Sequence, residues 1–383
     1  MQTTYLDNAA TSFPKPAGVS ERMRFYIDEI GATVNRSVYG PAAQAGLTAL
    51  SLRERLCGLL GYDDPTHCIL TPGATASLNM AIKGYLKPGD HCIVSSLEHN
   101  AVMRPLMQLR ESGVTFSRIP ADEYGRMRVE LLESTIQKNT RLIAVSHASN
   151  VFGVLHPAEE IGRVAAKHGI PFLLDAAQTA GHYPVDFNAL RLSALSVPAH
   201  KGLLGPSGIG ALLMTKAFAA SLTPLIAGGT GSASDSEELP PFMPDRFESG
   251  TPNLPGIFGW EESLRFVSER GVTALRAHEM QLTMRFIEGI GGEPGVRVVG
   301  PLAPEERVGV VSLDFPGRDN AQISFSLEQE YGILTRCGLH CAPNAHKSLG
   351  TFPAGTVRFS FGWANTIEDV DRAIQAVVIL SKE

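Results

Sequence analysis

The residues with the clearest chemical potential are an acid and an amine that each follow a short apolar run. Asp175 ends the apolar run at 172–174, and Lys201 follows the run at 195–197, just before a turn rich in glycine and proline. Such continuous apolar runs are typical of strands buried on both faces of a parallel sheet. Because ligands bind at the carboxyl ends of such strands, both side chains are predicted to lie in a binding crevice.

An acid and a buried amine are the two groups that a protein must supply to bind pyridoxal phosphate. Burial disfavours the charged form of Lys201, so its amine is more readily a neutral nucleophile that can form a Schiff base. The carboxylate of Asp175 could pair with the protonated pyridine nitrogen of the cofactor. The spacing alone also permits a simpler interpretation, in which Lys201 lies on the surface and Asp175 caps a helix.

Other polar groups follow other predicted strands. A glycine turn leads into an amphipathic helix near Ala74 and Thr75, and the free amides of such a helix start could bind a phosphate. His99 follows an apolar strand, where its ring could stack on a flat cofactor or cap a helix. Asn150 follows a third buried strand, and Arg36 lies in a polar loop as an anion contact or as a solvated side chain. Each of these signals is common when taken alone.

Composition describes an ordinary globular chain. The 383 residues include 44% hydrophobic and 19% charged residues, and the net charge of −6 favours neither a nucleic acid nor a membrane partner. The N-terminal stretch lacks the pattern of a secretory signal, and no apolar run reaches transmembrane length. Five scattered cysteines are typical of a reducing compartment, so a cytoplasmic location is expected.

The order of predicted elements indicates an α/β fold. Strands and helices alternate as far as about residue 213, which favours a mostly parallel sheet with helices on both faces. Residues 226–253 are rich in glycine, serine and proline and are interpreted as an excursion from the core. Helices are predicted at about 17–30 and 129–137, and the mixed helices and strands after residue 255 predict a small α+β domain.

A series of motifs extends over almost the whole chain, from YLDNAAT to VRFSFGWANT. In order they are LDNAAT, SLEHNA, SNVFG, DAAQTAG, AHKGLLGPSGIG, FESGTPN, and RCGLHCAP before VRFSFG. In these motifs the chain resembles the class V, fold-type I pyridoxal-phosphate enzymes, and within them the cysteine desulfurase and selenocysteine lyase group. The resemblance implies a large cofactor-binding domain at 15–255 and a small domain formed by 1–14 and 256–383.

The resemblance also implies roles for individual residues. Lys201 would bind the cofactor covalently, Asp175 would pair with its pyridinium, and His99 would stack on it and help to move protons. Gln178 would bond its phenolic oxygen. The phosphate would be held by Ala74, Thr75 and His200, and by Thr251 of a neighbouring subunit, so a homodimer is expected. The substrate would contact Arg358, Asn150 and Arg36.

The resemblance assigns the specific activity to Cys341. Its thiolate would take the sulfur of L-cysteine as a persulfide and leave L-alanine, with a sulfur-acceptor protein as a possible later partner. His340, His346 and Lys347 could favour ionisation of the thiol if they fold nearby. Alternative functions are a selenocysteine lyase acting on L-selenocysteine, another class V carbon–sulfur lyase or aminotransferase, and a binding protein without turnover.

Three further points qualify this site. A metal site using Cys337, His340, Cys341 and His346 fits no common zinc spacing, so no metal is expected. Many relatives carry Ser or Thr where this chain has Pro198, and Ser196 could replace the missing hydroxyl. Many also carry a histidine where this chain has Tyr39, so phosphate and substrate contacts can differ here.

Overall fold

The computed structural model describes residues 3–34 and 39–382. The helices are α1 (Val19–Phe25), α2 (Gly40–Leu59), α3 (Ala74–Tyr85), α4 (Asn100–Arg110), α5 (Leu132–Thr135), α6 (Ala158–His168), α7 (Lys216–Ser221), α8 (Leu254–Arg270), α9 (Val272–Ile290), α10 (Asn320–Tyr331), α11 (Pro343–Ser348) and α12 (Ile367–Leu380). The strands are β1 (Thr4–Tyr5), β2 (Cys68–Thr71), β3 (His91–Ser95), β4 (Thr115–Ile119), β5 (Thr140–Ser146), β6 (Phe172–Asp175), β7 (Ala194–Pro198), β8 (Gly210–Met214), β9 (Arg297–Val299), β10 (Val310–Asp314), β11 (Ile333–Leu334), β12 (Arg336–Gly338) and β13 (Thr356–Ser360).

A seven-stranded sheet forms the centre of the larger unit. Its strand order is β2-β8-β7-β6-β5-β3-β4, and β8 alone runs antiparallel to its two neighbours. Alternate strand residues enter two apolar clusters: Phe172 and Leu174 pack with α2, α6 and α8, whereas Leu173 packs with α3 and α4. Helices therefore cover both faces, which confirms the predicted mostly parallel sheet.

The direction of the strands determines where the polar side chains meet. β3, β5, β6 and β7 are parallel neighbours, and β2 has the same direction because it is antiparallel to β8. Residues that follow these strands therefore lie along one edge of the sheet. The site is built on this carboxyl edge.

The smaller unit contains a four-stranded antiparallel sheet in the order β12-β13-β10-β9. Helices α9, α10 and α12 pack on it through an apolar cluster, which confirms the predicted α+β arrangement. β1 pairs in parallel with β11, so the N-terminal residues join this unit. The apolar side of α8 packs against the large sheet, and the division at residues 15 and 255 stays a prediction.

Two predicted helices are shorter than expected. The helix predicted at 17–30 is α-helical only through Phe25, and a π-helical turn then runs from Tyr26 to Ile30. The helix predicted at 129–137 consists of a 3₁₀ turn and the four residues of α5. The hydroxyls of Ser134 and Thr135 donate to the carbonyl of Leu131, at 2.9 and 2.8 Å, and so compete with the backbone for this acceptor.

The segment at 226–253 contains no strand, and its one helical element is the short turn Asp245–Phe247. Phe247 is buried in the large unit, while Phe242 is about half exposed. Near the end of the segment, Glu248 accepts two hydrogen bonds from Arg53, at 2.8 and 2.7 Å, and one from the amide of Leu70 at 2.5 Å. This ion pair attaches the excursion to α2 and β2.

Candidate active site

A cavity of about 610 Å³ opens at the carboxyl edge of the large sheet and is also lined by residues of the small unit. Most of the side chains singled out from the sequence line it. They are Ala74, Thr75, His99, Asn150, Asp175, Gln178, His200, Lys201, Cys341 and Arg358. Thr251 is exposed and does not line this cavity, and Arg36 lies outside the described residues.

Asp175 is buried in the cavity wall, and Lys201 is half-buried beside it. Burial lowers the pKa of Lys201 to about 8, although the nearby carboxylate of Asp175 opposes the shift. Burial also raises the pKa of Asp175 to about 6, and the amide of Ala177 donates to this carboxylate at 3.0 Å. The amine is thus closer to its neutral, nucleophilic form than an exposed lysine would be.

His99 caps the start of α4 and lines the cavity. Its Nδ1 accepts a hydrogen bond from the amide of Ala101 at 3.0 Å, which places the ring proton on Nε2. Burial and, to a lesser degree, the positive charge of Lys201 lower the pKa of His99 to about 4. The ring is therefore neutral near pH 7 and caps α4, and its stacking on a cofactor stays a prediction.

Glu98, beside His99, was not singled out from the sequence. Its buried carboxylate accepts hydrogen bonds from the hydroxyls and amides of Ser95 and Ser146, at 2.5 to 3.3 Å. Burial raises the pKa of Glu98, and these donors oppose the shift. Through these bonds the carboxylate links the loop that contains His99 to strand β5. An acid directly after the buried strand β3 was the signal that could have identified it.

The glycine turn before α3 is suited to an anion. Gly73 has φ of 147°, and a Cβ added there would meet no atom within 4 Å, so the turn faces open space. The first amides of α3 have no partner within the helix. His200 also lines the cavity, and its buried Nδ1 has no hydrogen-bond partner among the described residues. Burial lowers the pKa of His200 to about 4.

Pro198 and Tyr39, the two positions that depart from the family pattern, differ in their location relative to the cavity. Pro198 lines the cavity. Ser196 does not replace its missing hydroxyl, because its buried Oγ donates to the carbonyl of Ala74 at 3.3 Å and so supports the start of α3. Tyr39 is 54% exposed and does not line the cavity.

Gln178 and Arg358 connect the cavity to the N-terminal segment. Nε2 of Gln178 donates to the carbonyl of Ala9 at 3.0 Å. The guanidinium of Arg358 is almost fully buried, and its Nη2 lies 2.7 Å from Oδ1 of Asp7. Asp7 belongs to the LDNAAT motif, and that motif was the signal for this missed partner.

A second guanidinium lies beside Arg358. Arg336 on β12 is its register partner and also lines the cavity. Burial lowers the pKa of Arg358, and Asp7 opposes the shift. Arg336 is the first residue of the RCGLHCAP motif, and that motif was the signal that could have identified it. Two cations therefore border one wall of the cavity.

Cys341 is exposed at the cavity wall, in a turn where His340 and Cys341 have φ of 49° and 58°. Neither His340 nor His346 supplies positive charge to this thiol. Burial lowers the pKa of His340 to about 2 and that of His346 to about 4, so both rings are neutral. The ammonium of Lys347 lies 4.9 Å from the ring centre of Phe352.

The remaining cysteines are also free thiols. Cys57, Cys68 and Cys92 are buried within the apolar clusters, as expected for small core residues, and Cys337 is half-buried. Among residues 3–34 and 39–382, no group of three or more His, Cys, Asp or Glu side chains is placed to hold a metal ion. The alternative of a metal site around Cys341 therefore gains no support.

No helix within the described part of the chain is both long and apolar enough to cross a bilayer.

Known proteins resemble this chain over nearly its full length. A probable cysteine desulfurase of Methanothermobacter thermautotrophicus is 32% identical, over 96% of this chain and 92% of that protein. The apo structure of a cysteine desulfurase from Thermococcus onnurineus superposes with a TM-score of 0.93 at 32% identity, covering 99% of this chain and 95% of that one.

A cysteine desulfurase structure from Escherichia coli, in an S-sulfonic acid form, superposes with a TM-score of 0.87 at 29% identity, covering 97% of this chain and 93% of that one. The family model described as aminotransferase class-V matches residues 4–373. The chain belongs to the aminotransferase class-V family.

Proposed function

We propose that this protein is a pyridoxal-phosphate-dependent cysteine desulfurase, which converts L-cysteine to L-alanine and leaves the sulfur as a persulfide on Cys341. The observation that carries the proposal is the exposed thiol of Cys341 in the wall of the cavity that also contains Lys201, Asp175 and Arg358. The names of the relatives agree with this activity.

The residues of the cavity suit the proposed cofactor. Lys201 would bind it covalently, Asp175 would pair with its ring nitrogen, and Gln178 would lie near its phenolic oxygen. The glycine turn at Gly73 and the unpartnered Nδ1 of His200 offer donors to a phosphate. When bound, the cofactor withdraws electrons from the α-carbon of the amino acid.

The side chains around it have separate tasks. The guanidinium of Arg358 would bind the substrate carboxylate, with Arg336 adding positive charge on the same wall. His99 would move a proton through Nε2. The thiolate of Cys341 would form an S–S bond to the substrate sulfur as the bond between that sulfur and the β-carbon breaks. The electron pair of the broken bond would stay with the β-carbon, which would take up a proton, and the substrate would leave as alanine.

Other parts of the proposal concern partners and location. Thr251 lies on the surface, at the end of a segment attached by the Arg53–Glu248 pair, and we place it in the cofactor site of a second subunit in a homodimer. An exposed Cys341 can pass its sulfur to an acceptor protein. A cytoplasmic location agrees with the five free thiols.

The test is a comparison of two cysteine variants. Cys341→Ala should keep the bound cofactor but lose formation of alanine from L-cysteine, because the sulfur has no acceptor. Cys337→Ala, which removes the half-buried neighbouring thiol, should retain activity. Full alanine production by Cys341→Ala would contradict the proposal, and production only from L-selenocysteine would favour the selenocysteine lyase alternative.

A further inference from the structure

The turn that carries Cys341 is bonded to the connection that carries His99. Nδ2 of Asn344, on α11, donates to the carbonyl of Ser96 at 2.7 Å. The amide of Asn100 donates to the carbonyl of Cys341 at 2.8 Å. Both bonds join the turn of the small unit to residues 96–100, between β3 and α4, so the positions of the thiol and of His99 depend on the same short segment.

A third bond comes from Asn150, in the loop that follows β5. Nδ2 of Asn150 donates to the carbonyl of His340 at 2.6 Å, and the carbonyl of Asn150 accepts from Nη1 of Arg358 at 2.9 Å. The turn also has bonds of its own, from Nε2 of His340 to the carbonyl of Arg336 and from the amide of Ala342 to the carbonyl of Leu339.

The backbone of the turn needs such support. His340 and Cys341 are consecutive non-glycine residues whose backbone lies in the left-handed region, at φ of 49° and 58°. Residues other than glycine rarely adopt this region, and they remain there only where surrounding contacts hold them. Gly338 and Gly355 permit close packing here, because a Cβ at Gly355 would clash with the carbonyl oxygen of Gly338.

We propose that Asn344 is a positioning residue for the sulfur-transfer step, because its bond to Ser96 clamps the Cys341 turn to the His99 connection. This inference rests on the proposed function of Cys341. Asn344 does not line the cavity, and so it acts through the turn rather than on the substrate. Asn150 and the amide of Asn100 complete the clamp.

The clamp accounts for how an exposed thiol can be positioned for reaction. Transfer requires Sγ to reach the substrate sulfur while Arg358 holds the substrate carboxylate, and displacements of about 1 Å can reduce a rate by about 100-fold. The side chain of Cys341 remains accessible to an acceptor because each of these three bonds is accepted by a backbone carbonyl and none of them uses Sγ.

The experiment compares three variants of the cofactor-loaded protein. Asn344→Asp keeps the shape of the side chain but removes the donor and places a carboxylate against the Ser96 carbonyl, and Asn344→Ala removes the bond without repulsion. The control is Asn139→Ala, which removes a similar bond, from Nδ2 to the carbonyl of Gly89 at 2.8 Å, at the amino-terminal end of β5 and thus at the opposite edge of the sheet.

Three readouts are measured: the kcat and KM for alanine formation, alkylation of Cys341 by iodoacetamide, and hydrogen exchange at the Asn100 amide. In both Asn344 variants we expect kcat to fall about tenfold with little change in KM, because Arg358 is untouched. Alkylation of Cys341 and exchange at Asn100 should each change severalfold, and Asn139→Ala should match the parent protein in all three readouts.

Unchanged alkylation and exchange in both Asn344 variants would overturn the clamp. Equal changes in Asn139→Ala would also overturn it, because they would indicate general destabilisation. The alkylation and exchange measurements do not require turnover. If the parent protein forms no alanine, the proposed function fails, while these two readouts still decide whether the clamp exists.

Discussion

Burial determines the protonation of the groups at the base of the cavity. It lowers the pKa of Lys201 to about 8 and raises that of Asp175 to about 6, and it keeps His99 and His340 neutral. The amine of Lys201 is therefore partly neutral near pH 7. It lies at the carboxyl edge of the large sheet, where backbone amides could donate to a phosphate. The neutral histidines around Cys341 leave Arg336 and Arg358 as the cations of that wall.

The first prediction concerns pH. Covalent capture of pyridoxal phosphate by the cofactor-free protein requires the neutral amine of Lys201, which is protonated below its pKa of about 8. The capture rate should rise as pH rises through this value and then level off, as measured by the change in absorbance after mixing. Lys201→Ala should show no covalent capture, and a rate that does not change with pH across this range would contradict the assignment.

At the scale of elements, side chains distant in sequence hold the site elements together. The Arg358–Asp7 pair joins β13 to the residues after β1, which are 351 positions away in the chain. The Arg53–Glu248 pair joins α2 to the excursion that ends near Thr251. Asp175 and Lys201 could be predicted because each follows its own strand in a parallel sheet, whereas these pairs depend on which distant elements pack together.

The Arg53–Glu248 pair gives a prediction on stability. Among the described residues, Arg53→Met leaves the Leu70 amide as the one donor to the largely buried carboxylate of Glu248, so the free energy of unfolding should fall by about 3 kcal/mol. Urea denaturation measures this change.

Arg285→Met is the matched control, because Arg285 pairs with Asp371 in solvent and its loss should have little effect. Equal stability of the Arg53 variant and the parent protein would show that the pair does not anchor the excursion.

At the scale of the whole molecule, the site lies between the large sheet and the small unit. The alternation of strands and helices predicted the parallel sheet, and the motifs predicted most of the side chains that line the cavity. The neutral state of His340 and His346 could not be predicted from the sequence, because it follows from burial that only the folded chain creates. The proposed role of Thr251 could not be tested either, because its proposed partner is a second chain.

The proposed homodimer gives a prediction for Thr251. If this exposed threonine reaches the phosphate in a second subunit, Thr251→Ala should weaken cofactor binding severalfold without changing the fold. Cofactor titration measures the affinity, and sedimentation measures the mass of the assembly. The control is Thr115→Ala, at the start of the edge strand β4, where the threonine is also exposed. A monomeric parent protein, or unchanged affinity in Thr251→Ala, would contradict the prediction.

The most direct test of the central claim is mass spectrometry of the cofactor-loaded protein after brief incubation with L-cysteine, without reductant or acceptor. The peptide that contains Cys341 should gain the mass of one sulfur atom, together with an equal amount of L-alanine, while the peptide containing Cys92 should be unchanged. Alanine formation without added sulfur on Cys341, or added sulfur on another cysteine alone, would contradict the claim that Cys341 receives the sulfur.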